Sequence, residues 1–87
     1  MRITQTSQFK KDVKLQLKRG KDLQKLKSVI DALIDGSPLL PKHRDHAMTG
    51  NWLTWRDCHL EPDWILIYKL SPDELVLGRT GTHSDLF

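Results

Sequence analysis

The chain has one cysteine, Cys58, so no internal disulfide holds it together, and the disulfide framework of small secreted domains is excluded. It has no apolar run near the roughly 20 residues that a bilayer-spanning helix needs. Its first residues, MRITQTSQFKKDVK, contain no apolar core of a leader peptide. These absences point to a cytoplasmic protein with no membrane partner. There is no internal repeat and no low-complexity tract. Acid is scarce in residues 1–30, where only Asp12 and Asp22 occur, and histidine is absent there altogether.

What is present suits one compact domain over residues 1–87. Of the 87 residues 38% are apolar, including three tryptophans, enough for a single core; a disordered chain is poorer in such groups. The net charge of +3 hides a division. Residues 1–30 hold nine Lys/Arg against two acids, a balance of +7, while residues 31–87 hold five against nine, a balance of −4. That asymmetry points to a polyanion for the first half, either nucleic acid or an acidic protein segment. Solvation of the outer faces of helices is the competing explanation.

RITQT, Arg2–Thr6, is short and alternating and predicts a first strand. Thr6 or Ser7 then caps a helix whose apolar stripe is Phe9, Val13 and Leu17. Gly20 ends it and Asp22 caps a second, striped by Leu23, Leu26, Val29, Ile30, Leu33 and Ile34. Asp35–Asp45 is a proline-bearing loop. Beyond Met48 the period turns to alternation: strands are predicted over Asn51–Leu60, Asp63–Leu70 and Glu74–Thr82, with turns at Pro62 and Pro72. The apolar run WILIY marks a central strand covered on both faces. The layout is β-α-α-β-β-β, an α+β domain with an antiparallel meander and two helices on one face. The other face is expected to be left to solvent or a ligand.

All four histidines lie in the sheet half. On a strand over Asn51–Leu60, Trp55, Asp57 and His59 share one face, with Asp57 and His59 about 7 Å apart along it. Asp63 stands just across the turn at Pro62. Arg79, Gly81 and His83 share parity if the last strand runs that far. Imidazoles for proton transfer, carboxylates to orient them and an arginine for phosphate charge suit RNA cleavage. The nucleophile there is the RNA's own 2′-hydroxyl, so neither metal nor cofactor is needed. Competing explanations are turn formation for lone Asp and His residues and packing for Trp52, Trp55 and Trp64. Zinc on His43, His46, Cys58 and His59 matches no compact spacing. Cys58 faces away from His59 and reads as a small buried group rather than a nucleophile.

The stretch RDHAMTGNWLTWRDCHLEPDWILIYKL and the terminal RTGTHSDLF resemble the RelE/ParE superfamily of toxins, and within it the YafQ-type mRNA interferases. The likeness extends, more loosely, into the helical half. It implies a type II toxin that cuts translated mRNA on the ribosome, with a RelE-like fold, and no cofactor or metal. It implies an antitoxin as partner, with operator DNA reached only through the antitoxin complex. Carried over by position, catalytic roles fall on His46, His59, Asp63 and His83, and RNA-binding or transition-state roles on Asp57, Arg79 and Phe87. Lys10, Lys11, Lys14, Lys18, Lys25 and Lys27 become candidates for contacting ribosomal RNA or the antitoxin. Asp85, near His83, is a charge that the family pattern lacks. A gyrase-directed toxin of the ParE branch, a non-catalytic RNA-binding module and a metal-dependent nuclease are the alternatives.

Overall fold

The computed structural model describes all residues, 1–87. Strand β1 is Arg2–Gln5, followed by helices α1, Ser7–Lys18, and α2, Leu23–Asp35. Strands β2, His46–Ala47, β3, Arg56–Glu61, β4, Trp64–Leu70, and β5, Glu74–Gly81, lead to a one-turn helix α3, His83–Leu86. The sheet order is β1-β5-β4-β3-β2. The expected meander β3-β4-β5 is antiparallel, while β1 lies parallel to β5. The sheet is therefore mixed, because the helical hairpin and the meander bring the chain back alongside its start. No helix is long and apolar enough to cross a membrane.

The helix ends form where their side chains dictate. Thr6 Oγ1 accepts from Phe9 N at 3.0 Å, and an Asp22 oxygen accepts from Gln24 N at 2.9 Å. Gly36 closes α2 in the left-handed conformation, φ +71°. α2 buries Leu26, Val29 and Leu33 as its stripe predicts. α1 differs: Phe9 is buried, but Leu17 is exposed and Asp12 and Gln16 turn inward. The reason is an unpaired edge. β1 reaches only as far as Leu77 on β5, so beyond it α1 flanks bare backbone, and Asp12 accepts from Thr80 N at 3.2 Å.

The strand expected over Asn51–Leu60 starts only at Arg56. Gly50–Trp52 is a 3-10 turn and Thr54 has φ +81°. The cause is burial: this segment folds back so that Met48, Trp52 and Trp55 pack on Ile65, Ile67 and Leu86. The face opposite α1 and α2 is thus partly roofed rather than open, as a correction to expectation. β4 is consequently apolar on both sides, with residues 64–68 all at most 1% exposed.

The roof depends on one glycine. A β-carbon at Gly78 would lie 2.5 Å from the Trp55 ring, and the β4–β5 register skips at this point. Gly78→Ala is expected to cost about 1–3 kcal/mol through overpacking. A urea midpoint equal to that of wild type would refute it.

Candidate active site

His46 owes its place to β2, which pairs it with Asp57. Its Nδ1 lies 2.8 Å from the carbonyl oxygen of Arg44 and 3.0 Å from Asp57 Oδ1. Both are acceptors, so Nδ1 carries the proton and donates to the better aligned Arg44 carbonyl. Asp57 Oδ1 is within ion-pair distance but off the hydrogen-bond axis, and no aligned donor reaches it. Residue 57 is only 6% exposed. Burial raises its pKa above the ordinary aspartate value, opposed by His46, His59 and His83.

His59 follows Asp57 by two residues on the same face. Its Nδ1 faces the carbonyl oxygen of Pro62 at 3.3 Å, and its ring centroid lies 5.6 Å from that of His83. β5 ends at Gly81, so His83 reaches the cluster from α3 rather than by strand parity. There its backbone N and ring Nδ1 donate to the same Asp63 oxygen, at 2.9 and 2.6 Å. First the backbone bond, then the ring bond, hold the Asp63 carboxyl below the ordinary aspartate range. Phe87 ends the row, its ring 6.3 Å from that of His83.

One rule unites the three imidazoles. Each presents Nδ1 to an acceptor that has no proton to give, so each neutral ring is the Nδ1–H tautomer. Each Nε2 is free of hydrogen bonds within the chain. His43 obeys the same rule, with Nδ1 donating to the carbonyl oxygen of His59 at 2.8 Å; it ties the loop to β3.

Arg79 lies in register with Ile67 and hence with Asp57 on the same face. Its Nε and Nη2 donate to Asp12 at 2.7 and 3.3 Å, which pins the guanidinium beside the sheet. The cluster thus gathers His46, Asp57, His59, Asp63, His83 and Phe87, with Arg79 anchored on the same sheet face. The lysines do not join it. Lys25 binds Glu61 at 2.8 Å and Lys27 approaches Asp31 at 3.9 Å, while Lys10, Lys11, Lys14 and Lys18 are exposed without an acidic partner.

Two further groups position the cluster. Asp45 accepts from Tyr68 Oη at 2.5 Å and from Arg56 Nε and Nη2 at 3.3 and 3.1 Å. Burial first, and then Asp45, push the Tyr68 phenol up. This network anchors the residue before His46, and no sequence spacing announces it, since Asp45 and Tyr68 lie 23 residues apart. The second group is Asp85, which caps Thr82 and holds Arg19 through both oxygens, at 2.5 and 3.0 Å. Its charge is thereby spent on fastening α3 to the end of α1.

The arrangement of one helical hairpin, a mixed five-stranded sheet and a histidine cluster at the sheet's end is that of a RelE-like toxin. The family described as "Bacterial toxin of type II toxin-antitoxin system, YafQ" matches residues 1–87, and the chain belongs to that family. The mRNA interferase toxin YafQ of Escherichia coli strain K12 is 50% identical over 86 residues, covering 98% of this chain and 94% of that protein. The crystal structure of YafQ from E. coli strain BL21(DE3) superposes with a TM-score of 0.95 at 48% identity, covering 100% of this chain and 99% of that one. YafQ in the E. coli DinJ–YafQ complex gives 0.92 at 49% identity, over 100% and 99%. Membership makes the chain a toxin and an endoribonuclease.

Cys58 takes no part. It is fully buried on the helix side of β3, and burial pushes its thiol up to about 12. At pH 8 the thiolate fraction is then roughly one in 10⁴. A thiol reagent should leave the native protein unmodified and react only after denaturation; prompt reaction of the native chain would contradict this burial.

Asp85 titrates with a sign that can be stated. The Arg19 guanidinium, with the Thr82 backbone N–H, holds its carboxyl well below the aspartate range. Its contribution is therefore present above the unfolded value near 3.8 and is lost as pH falls through the folded one. Asp85→Ala should lower stability at pH 7 and flatten the loss of stability below about pH 4. Urea midpoints against pH test this, and parallel acid limbs for variant and wild type would refute it.

Proposed function

We propose that the chain is an mRNA interferase that cuts by acid–base chemistry with the RNA 2′-hydroxyl as nucleophile. The observation that carries this reading is the tautomer rule: three imidazoles, each anchored through Nδ1, present free Nε2 atoms around one buried carboxylate. In the proposed sequence, Nε2 of His46 or His59 takes the 2′-hydroxyl proton as that oxygen attacks phosphorus. The bond from phosphorus to the 5′-oxygen breaks, and His83, which enters this step as the imidazolium with Asp63 as its counter-charge, gives its Nε2 proton to the departing oxygen. The products are a 2′,3′-cyclic phosphate and a 5′-hydroxyl, and the proton count is conserved.

Asp63 supports the role of His83 by holding both its backbone N–H and its ring Nδ1. Asp57 supplies negative charge between the imidazoles. Arg79 is suited to stabilise the phosphorane, since Asp12 orients it while leaving its Nη1 atom unengaged by that pair. Phe87, 62% exposed, is placed to stack on a base.

The likeness to an mRNA interferase and to the toxin of the DinJ–YafQ complex supports messages as substrate and a cognate antitoxin as partner. We extend the proposal to a cytoplasmic, single-domain toxin that acts on translating ribosomes. Operator DNA is reached only through the antitoxin complex. The free lysines of α1 suit ribosomal RNA phosphates, an attraction that weakens steeply with salt.

His83→Ala should reduce cleavage about 10²–10⁴-fold. Induced expression with mapping of mRNA 5′-ends, alongside cleavage by purified protein on ribosomes, checks this. Full cleavage by His83→Ala would remove His83 from the mechanism, and intact messages with the wild type would remove the nuclease itself.

A further inference from the structure

Beside the histidine cluster runs a groove of about 780 Å³, bounded by α2, the loop over residues 38–44 and the end of β3. Its size falls within the roughly 300–1,000 Å³ of small-molecule sites. The floor is apolar, made by Val29, Ala32, Leu39 and Leu60. Around it stand Lys25, Lys42, His43 and Arg44, against a single acid, Glu61. That acid is already neutralised by Lys21 and Lys25, each at 2.8 Å. The rim is therefore cationic. His59 lines the groove as well as facing His83, so the groove and the cluster share a wall.

We infer that this groove is a second nucleotide subsite, holding the base next to the scissile phosphate of a single-stranded RNA. The inference rests on the nuclease reading and adds to it the place where sequence is sensed. A flat base suits the apolar floor, and its phosphate suits Lys42 and Arg44, both exposed and free of acidic partners. Arg44 adopts φ +46°, a left-handed conformation rare for a side-chain-bearing residue. That turn aims its carbonyl at His46 and carries its guanidinium at the groove's rim, which couples base capture to the proposed acid–base pair.

An extended peptide fits less well. β2 covers β3 only at Arg56 and Asp57, so the outer edge beyond them is the natural place for an added strand. His43 blocks it by donating to the His59 carbonyl. The groove offers a hole for a planar group rather than a row of backbone partners.

Ser28 is exposed on α2 and lines the groove, so Ser28→Trp fills it from a surface position, and Lys42→Glu reverses its rim charge without adding bulk. Both variants are compared with wild type on ribosomes, and their thermal unfolding is recorded to show that they fold. Each should raise KM about 10-fold with kcat within about twofold, and mapped cut sites should lose base preference at one position beside the cleaved bond. Wild-type KM and an unchanged cut-site pattern in both variants would overturn the subsite while leaving the nuclease reading intact. Loss of antitoxin binding alone, with cleavage parameters unchanged, would assign the groove to protein and overturn the inference equally. Failure of the wild type to cleave would instead strike the nuclease reading on which it rests.

Discussion

A carboxylate buried without an aligned donor sets the terms for the whole sheet end. Removing such a charge from water costs several kcal/mol unless nearby groups answer it. Around Asp57 no fixed cation does so, because Arg79, the nearest candidate in the same sheet row, is held by Asp12. The answering groups are imidazoles from three separate elements: His46 on β2, His59 on β3 and His83 on α3. A charge answered by lysine or arginine would be inert near neutrality. Here burial raises the pKa of Asp57 and the three histidines oppose that rise.

That arrangement requires the second face of the sheet to be closed elsewhere. Ile65 and Ile67 point to the same side as Asp57 and His59, through the β3–β4 register. Left bare, they would form an apolar patch beside a polar site. Met48, Trp52 and Trp55 cover them, the two indoles meeting edge to face at 5.9 Å. Lys69 lies over the Trp55 ring at 4.4 Å, so the roof's outer surface is itself solvated. Leu86 closes the other side from α3. The same one-turn helix therefore seals the core with Leu86 and delivers His83 to the cluster.

Period and punctuation were enough to read the helical hairpin, its caps at Thr6 and Asp22, the meander and the shared face of Asp57 and His59. These depend on contacts close in sequence. Leu17 reads as core by spacing yet is exposed, because whether a helix sits over a sheet or beside its edge depends on where β1 stops. The strand expected from Asn51 is lost to a tertiary demand, the need of Ile65 and Ile67 for cover, which alternation cannot reveal. Resemblance carried His46 and His83 to the site; local pattern had placed one in a loop and the other on a strand. Asp45 with Tyr68, and Arg19 with Asp85, were illegible since each pair closes over a long separation.

The division of charge along the chain also changes meaning once folded. A basic half and an acidic half suggest two oppositely charged surfaces, but three acids of the second half, Glu61, Glu74 and Asp85, are bound by cations of the first. Arg2 meets Glu74, Arg19 meets Asp85, and Lys21 and Lys25 meet Glu61. Exposed pairs of this kind add little stability individually. Their larger effect is to select which cations stay free. Lys11, Lys14 and Lys18 recur at helical spacing on one side of α1, with Lys10 beside them, and Lys42 and Arg44 stand at the groove. Unpaired positive charge therefore lies both along α1 and at the rim leading to His59. Arg79 is fastened to α1 through Asp12 and lies on the sheet face that carries Asp57. Pairing acids across the two halves thus leaves free cations along α1, outside the histidine cluster, and at the groove rim that His59 shares.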